Sequence, residues 1–446
     1  KSQPNGRRMA VSNPALTKEE CSPRSAIGIK RSNELCSNMT RILTLVFLLS
    51  YTSLLAGDWP WWRGPDRNGV AESGQNLPTE FSYEKNLVWS VDIPGRSHGS
   101  VCAVGDKLYL AIADTEKKTQ SVRCLDAATG KTLWDSVVHE NGMTQKSNKK
   151  ASWASSTPAC DGKTVYINFV SGDAAWTTAI DAESGRQKWQ TRLTDYVIHQ
   201  GYGSSPALWK TLVIVSADNK SGGVVCGLNR KTGAVEWKTD RAKEPNYASP
   251  IILKAAEKVQ LFLTGTDKVT SYDPLTGKVN WEIDGATTEC VTSTVTDGKH
   301  IYSSGGYPTN HVAAIAADGS GKTVWKNGSR VYVPSMLIHE GHLYATMDAG
   351  VTVCWDSATG EEKWKGRLGG NFSGSPTLVD DKIYAPNESG EVFVFRASPD
   401  GLEILARNKI AGEIFSTPTI CNDRIYLRTA SYRGEKRTER VVCFGK

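Results

Sequence analysis

The stretch Leu125-Asp-Ala-Ala-Thr-Gly-Lys-Thr-Leu-Trp134 decides the fold, because it recurs. Related runs end at Trp189, Trp237, Trp281 and Trp364. In all five, Asp or Asn stands eight residues before the Trp and Gly stands four before it. Asp-x-x-Thr/Ser-Gly is turn chemistry: the carboxylate caps the turn and Gly takes the positive φ. The flanks alternate apolar and polar, as strands do. The unit is therefore a β-hairpin whose second strand carries a large aromatic.

A second element recurs between these hairpins. Ser or Thr precedes Pro at 157–158, 205–206, 249–250, 375–376 and 417–418, and degenerate copies centre on Val101, Thr294 and Met336. Each copy leads to a second apolar run, as with Tyr166, Tyr384 and Tyr426. The Trp strand also has eight copies, at Trp89, Trp134, Trp189, Trp237, Trp281, Trp325 and Trp364, with Ala406 in the eighth place. Their spacings run from 39 to 55 residues, and four short strands per period predict a propeller blade. Trp89 arrives before any Ser-Pro strand, and the chain ends without a Trp strand. The expectation is an all-β, eight-bladed propeller of four-stranded antiparallel blades over 85–446. The strand around Leu87–Val91 completes the last blade and removes a free edge.

Each Trp is expected to wedge between blades over the Gly of the next turn. That gives structural roles to the seven tryptophans and to Gly130, Gly185, Gly233, Gly277 and Gly360. The sixth copy has shifted its turn to Asp318-Gly-Ser-Gly, and the eighth has lost its Trp. Those two interfaces are expected to be the softest of the ring. Gly319-Ser-Gly-Lys-Thr323 resembles a phosphate loop but has Ala316 where the full pattern needs Gly, so it reads as a turn.

The formal charge of +6 lies mostly in the first 57 residues, which carry eight Lys/Arg and three Asp/Glu. The repeat region is nearly balanced, so no nucleic-acid partner is expected. Residues 1–38 lack periodicity and read as a non-native or disordered extension. Met39-Thr-Arg, the apolar run Ile42–Leu55 and Ala56-Gly57 have the layout of a secretion signal over 39–57. A run of fourteen residues is too short for the roughly 20 of a spanning helix, so the chain is expected to be secreted or periplasmic and not membrane-spanning. Cys124, Cys226, Cys354 and Cys443 share one repeat position, and Cys102, Cys160 and Cys421 another. Recurrence at one position reads as small core filler rather than bridging. Residues 58–84 open with Asp58-Trp-Pro-Trp-Trp-Arg-Gly-Pro65, and this segment is expected to lie across the ring with its indoles on the blades. A ligand platform is the sharper alternative for it.

Asp-x-x-Thr-Gly-x-x-x-Trp with Ser-Pro strands resembles the PQQ-like repeat, the blade of quinoprotein dehydrogenases. The resemblance covers about 58–446. The opening Trp-Pro-Trp-Trp-Arg-Gly-Pro is similar to that of secreted planctomycete-type PQQ-like repeat proteins. Similar rings include the propeller subunit of the outer-membrane β-barrel assembly machinery and the sensor portions of some bacterial Ser/Thr kinases. The family's enzymes set a vicinal Cys-Cys disulfide against the quinone, with a Trp floor, an acidic base and a calcium shell. No adjacent cysteines occur here. Glu244, Asn246, Glu289, Asn371 and Glu413 precede Ser-Pro strands, but no spacing groups them into the six or more oxygens calcium wants.

One constellation remains. Three to five residues before the Pro position lie Trp153, Tyr202, Tyr247, Tyr332, Phe372 and Phe415, with His98 in the first blade. These loops enter the innermost strands, so the side chains are expected to ring one mouth of the channel, either as a ligand site or as a plug. Replacing Tyr202 and Tyr247 by Ala is expected to abolish partner capture with little change in melting temperature. The leading expectation is a monomeric, non-catalytic scaffold of the cell envelope that binds protein, peptide or glycan, with no catalytic residue, metal or cofactor. The alternatives are a dehydrogenase using PQQ and calcium, and a detached sensor module.

Overall fold

The structure, a computed structural model, describes residues 57–144, 148, 150–410 and 412–446. The expected extension and secretion signal lie outside the described residues, Gly57 apart. The strands form eight four-stranded antiparallel sheets. Blades 1 to 7 span 102–140, 159–195, 207–241, 251–284, 295–327, 337–367 and 377–409. Blade 8 takes its inner strands from 419–444 and its outer strand from Leu87–Ile93, which pairs with Lys436–Phe444 in the register Trp89 opposite Cys443. The ring closes as the phase of the repeats predicts.

Local chemistry builds each blade. In the first turn Asp126 Oδ1 accepts the Thr129 N–H at 2.8 Å, and Gly130 sits at φ 72°. A methyl group at Gly130 would come within 2.6 Å of the Trp89 ring, so the indole lies directly on the turn of the next blade. The same contact is made over Gly185, Gly233, Gly277 and Gly360. The indole N–H usually donates to the carbonyl just after the capping residue, as Trp134 does to Ala182 at 3.2 Å and Trp189 to Arg230 at 2.9 Å. Within a blade the same indole leans on an aromatic of the second strand, as Trp189 does on Tyr166 at 6.0 Å between centroids. The eight described cysteines are free and buried.

The two irregular copies are completed from elsewhere in the chain. Trp281 still lies on a glycine, Gly319 of the shifted turn, but its N–H donates to Gln260 Oε1 at 3.1 Å. Gln260 Nε2 in turn reaches the Ala317 carbonyl of blade 5 at 3.1 Å, so the amide relays the missing contact. At the eighth copy Ala406 leaves a gap beside Tyr384. Phe81 of the N-terminal segment fills it, 6.5 Å from the Tyr384 ring and 4.8 Å from that of Phe444. Asn408 pins Phe81 by accepting its N–H at 2.9 Å and donating to the Thr79 carbonyl at 2.9 Å.

Candidate functional site

The innermost strands begin at the hydroxyl of each Ser-Pro element, and these hydroxyls are stitched round the channel. Ser100 N–H donates to Thr157 Oγ1, Thr157 to Ser205 and Ser205 to Ser249, at 2.9–3.0 Å. Ser293 N–H donates to Ser335, Ser335 to Ser375, Ser375 to Thr417, and Thr417 back to Ser100, again at 2.9–3.0 Å. The Ser293 hydroxyl accepts the Trp62 indole N–H at 2.9 Å. The crown was legible as a pattern, since a hydroxyl survives in all eight copies even where Pro is lost.

The N-terminal segment stops the channel on one side of this crown. Trp59 pairs with Ala103, and the Pro60 carbonyl accepts the Cys160 N–H at 2.8 Å. Arg67 reaches the Leu208 carbonyl at 2.8 Å and covers Trp61 at 4.4 Å. Ala71 and Gly69 bracket Leu378. Every one of these partners lies three residues past a crown hydroxyl, inside the strands. Arg63 is fully buried and donates to the Pro376 carbonyl at 3.1 Å and to the Met336 carbonyl. Burial without a counter-ion pushes its guanidinium down to about 9.

On the other side of the crown the channel opens into a cavity of about 350 Å3. Trp62 lies at its base with the crown hydroxyls, and His98, Tyr202, Tyr247, Tyr332 and Phe415 line it. His98 stacks on Phe415 at 4.5 Å. Two of the seven residues expected at the mouth are elsewhere. Phe372 is buried against Phe393 between blades 6 and 7, held by its N–H to the Asp348 carbonyl. Trp153 turns away and donates to the Thr144 carbonyl at 2.7 Å. Its loop belongs to the longest repeat spacing, 55 residues, which was the available sign of an insertion.

A polar cluster backs one wall. Glu289 accepts from Tyr332 Oη at 3.1 Å and pairs with His199 Nδ1 at 3.2 Å, while Tyr247 Oη lies 3.2 Å from the same imidazole nitrogen. Burial, and then the Glu289 charge, raise the Tyr247 and Tyr332 hydroxyls above their ordinary range. Of the other acids and amides singled out, Asn246 is tied to the Cys290 N–H at 2.8 Å and Glu413 pairs with Arg437 at 3.1 Å. No crown hydroxyl bonds to an imidazole or carboxylate among the described residues; of the other lining hydroxyls, Ser373 donates to Glu388 at 2.6 Å.

The lining does not fit a calcium-bound polycarboxylate quinone. Lys150 is the one ammonium among the described lining residues, and it pairs with Glu388 at 2.7 Å. No carboxylate is among the described lining residues, and no described cluster of His, Cys, Asp or Glu is placed to hold a metal. Among the described residues no helix is long and apolar enough to cross a membrane.

A family model described as the outer membrane protein assembly factor BamB matches residues 118–307 and 308–403. BamB of Moranella endobia is 22% identical over 373 residues, spanning 79% of this chain and 90% of that protein. A polyvinylalcohol dehydrogenase of Sphingopyxis sp. is 27% identical over 197 residues. That match takes in 41% of this chain and only 28% of the dehydrogenase. Among solved structures, BamB from Moraxella catarrhalis aligns over 81% of this chain and 97% of its own, with a TM-score of 0.58 at 16% identity. A quinohemoprotein alcohol dehydrogenase from Comamonas testosteroni aligns over 89% and 82%, with a TM-score of 0.63 at 13% identity. At such identities the structural likeness speaks for the fold.

Proposed function

The chain belongs to the PQQ-like repeat family described by the outer membrane protein assembly factor BamB, and on that premise we propose that it is a non-catalytic binding scaffold of the cell envelope. Its partner, a protein, peptide or glycan, seats in the mouth cavity. One observation carries this reading. The channel is stopped by the chain's own Trp62 and Arg63, which leaves an aromatic-walled recess whose crown hydroxyls bond to no imidazole or carboxylate among the described residues. Such a recess offers a bound partner contact area and hydrogen bonds. The propeller is proposed to act as a monomer and to reach the envelope through the segment read as a secretion signal.

Tyr202 and Tyr247 also hold the structure, contrary to the expectation that their loss leaves the melting temperature unchanged. Tyr202 Oη donates to the Ser216 carbonyl at 2.9 Å, and Tyr247 Oη accepts the Gln200 N–H at 3.2 Å. Truncating them will lower the melting temperature as well. The better pair is Phe415→Leu with Tyr332→Leu, which keeps most of the apolar volume and gives up one side-chain bond, that of Tyr332 to Glu289. Capture from envelope extracts should disappear in this variant. Undiminished capture would remove the mouth from the reading. Dye reduction with alcohols or sugars on adding PQQ and calcium would replace the scaffold with a dehydrogenase. Fractionation of cells expressing the tagged full chain tests the location, and a cytoplasmic pool alone would contradict it.

A further inference from the structure

Deepening the binding reading and resting on it, we propose that the cavity takes the neutral, non-reducing end of a saccharide. The first ground is the crown. None of its eight hydroxyl residues is more than 6% exposed. Seven of these oxygens already accept a backbone N–H and that of Ser293 accepts the Trp62 indole N–H, so each keeps one proton to give and one lone pair to share. None donates to a protein acceptor among the described residues. A buried donor without a partner is costly, so these protons call for water or for a ligand. Groups that both give and take hydrogen bonds match ligand hydroxyls, which do the same.

The second ground is shape. Trp62 closes the base, so the occupant must enter end first. A peptide end brings a full charge. The non-reducing end of a glycan brings none. Burying a charge here would strip its water with little return, because Lys150 is engaged by Glu388. The nearby guanidiniums are not among the described lining residues: Arg330 lies over Tyr332 at 5.1 Å and donates to the Gly306 carbonyl, and Arg96 lies over Phe415 at 5.9 Å.

The third ground is the wall. Phe415, Tyr332, Tyr247 and Trp62 at the base line the same space as the hydroxyls. A pyranose carries C–H groups on its faces and hydroxyls on its rim, and so meets both kinds of surface at once. The volume of about 350 Å3 lies near the lower end of the ligand-pocket range, roughly 300–1,000 Å3, which suits one or two sugar rings.

The test uses the purified chain with glucose, N-acetylglucosamine and their β-linked disaccharides as probes. Glucuronate, glucosamine and short peptides with free ends serve as comparators. Saturation-transfer NMR should mark the protons of the non-reducing ring, and calorimetry should give dissociation constants of about 1 mM or tighter. Charged analogues should bind about fivefold more weakly. Tyr332→Leu with Phe415→Leu should cost about tenfold in affinity. Should that variant unfold, the 5-fluorotryptophan resonance of Trp62, assigned through Trp62→Phe, should shift on adding disaccharide to the labelled parent chain. Absence of both transfer and shift at sugar concentrations of order 50 mM would overturn the proposal. Tighter binding of charged sugars or peptide ends at the same wall would also overturn it, while leaving the scaffold reading intact. Failure of the scaffold reading is distinct: envelope capture would then be indifferent to the wall variant.

Discussion

Two kinds of blade interface stand side by side in this ring. At the regular ones, such as that between blades 2 and 3, one Trp does everything. Trp189 covers Gly233, donates to the Arg230 carbonyl and leans on Tyr166. Between blades 7 and 8 the same work is divided. Ala406 holds the Trp position, Tyr384 still waits beside it, and Phe81 arrives from more than three hundred residues away in sequence to stack there. The repeat therefore did not simply decay at its last copy. Its lost aromatic was replaced by the segment that also stops the channel, so plug and ring are energetically one unit.

The sharpest way to break that comparison is Phe81→Ala. Truncating a buried aromatic costs about 3–5 kcal/mol. The loss should match that of Trp189→Ala, measured by denaturant unfolding. A cost below about 1 kcal/mol would mean that blades 7 and 8 cohere without Phe81. Restoring the repeat pattern with Ala406→Trp on the Phe81→Ala background should return part of the stability. Failure to do so would show that Phe81 does more than stand in for an indole.

The interface between blades 4 and 5 offers a milder contrast. Here the turn of the sixth copy has shifted and a buried amide carries the link. Gln260 Oε1 takes the Trp281 N–H and the Ser271 hydroxyl, and its Nε2 spans to Ala255 and Ala317. Gln260→Leu keeps volume but orphans several of these groups. It should cost about 2–3 kcal/mol, since unsatisfied buried polar groups are the expensive part. An unchanged unfolding midpoint would show that the relay contributes nothing.

These two cases show where the sequence stopped being readable. Turn and wedge were legible because their chemistry is local: an Asp, a Gly and a Trp at fixed spacing. Closure of the ring was legible from the phase of the copies. Repairs by Phe81 and Gln260 were not, because each joins residues outside the repeat register. Most of the mouth was legible, since His98, Tyr202, Tyr247, Tyr332 and Phe415 share one loop position and one cavity. Phe372 shares that position too, yet its backbone bond to Asp348 draws it into the core. Trp62 was weighed only as one of three clustered indoles. Nothing in Trp59-Pro-Trp-Trp62 says which indole faces the channel, because a Pro- and Gly-rich segment has no periodicity to assign faces.

A smaller contrast separates Trp189 from Trp237. Both cover the next turn, but Trp189 has an acceptor for its N–H, whereas the Trp237 Nε1 is buried with no partner among the described residues. The turn facing Trp237 carries Pro274 after its capping Asp273. Replacement by Phe loses similar area at each site. The cost should be about 1 kcal/mol larger at Trp189, the net value of one hydrogen bond. Equal costs would mean that the indole N–H is unimportant at every blade.

The faintest effect concerns the turn carboxylates, and nature supplies the control. Asp181 accepts the Ser184 backbone and hydroxyl protons, and these bonds, with the Ser184 backbone bond the larger, hold its carboxyl down to about 2 against an ordinary 3.8. Asp126 and Asp356 are lowered in the same sense. Blade 3 has Asn229 at this place, which caps its turn without a charge to lose. A folded value below the unfolded one means stability that is present above about pH 4 and drains away as the pH falls toward 2. Asp181→Asn should therefore leave the melting temperature at pH 7 nearly unchanged and flatten its decline between pH 4 and pH 2. A parent and variant that lose stability in parallel across that window would show that the cap works as a shape, indifferent to its charge.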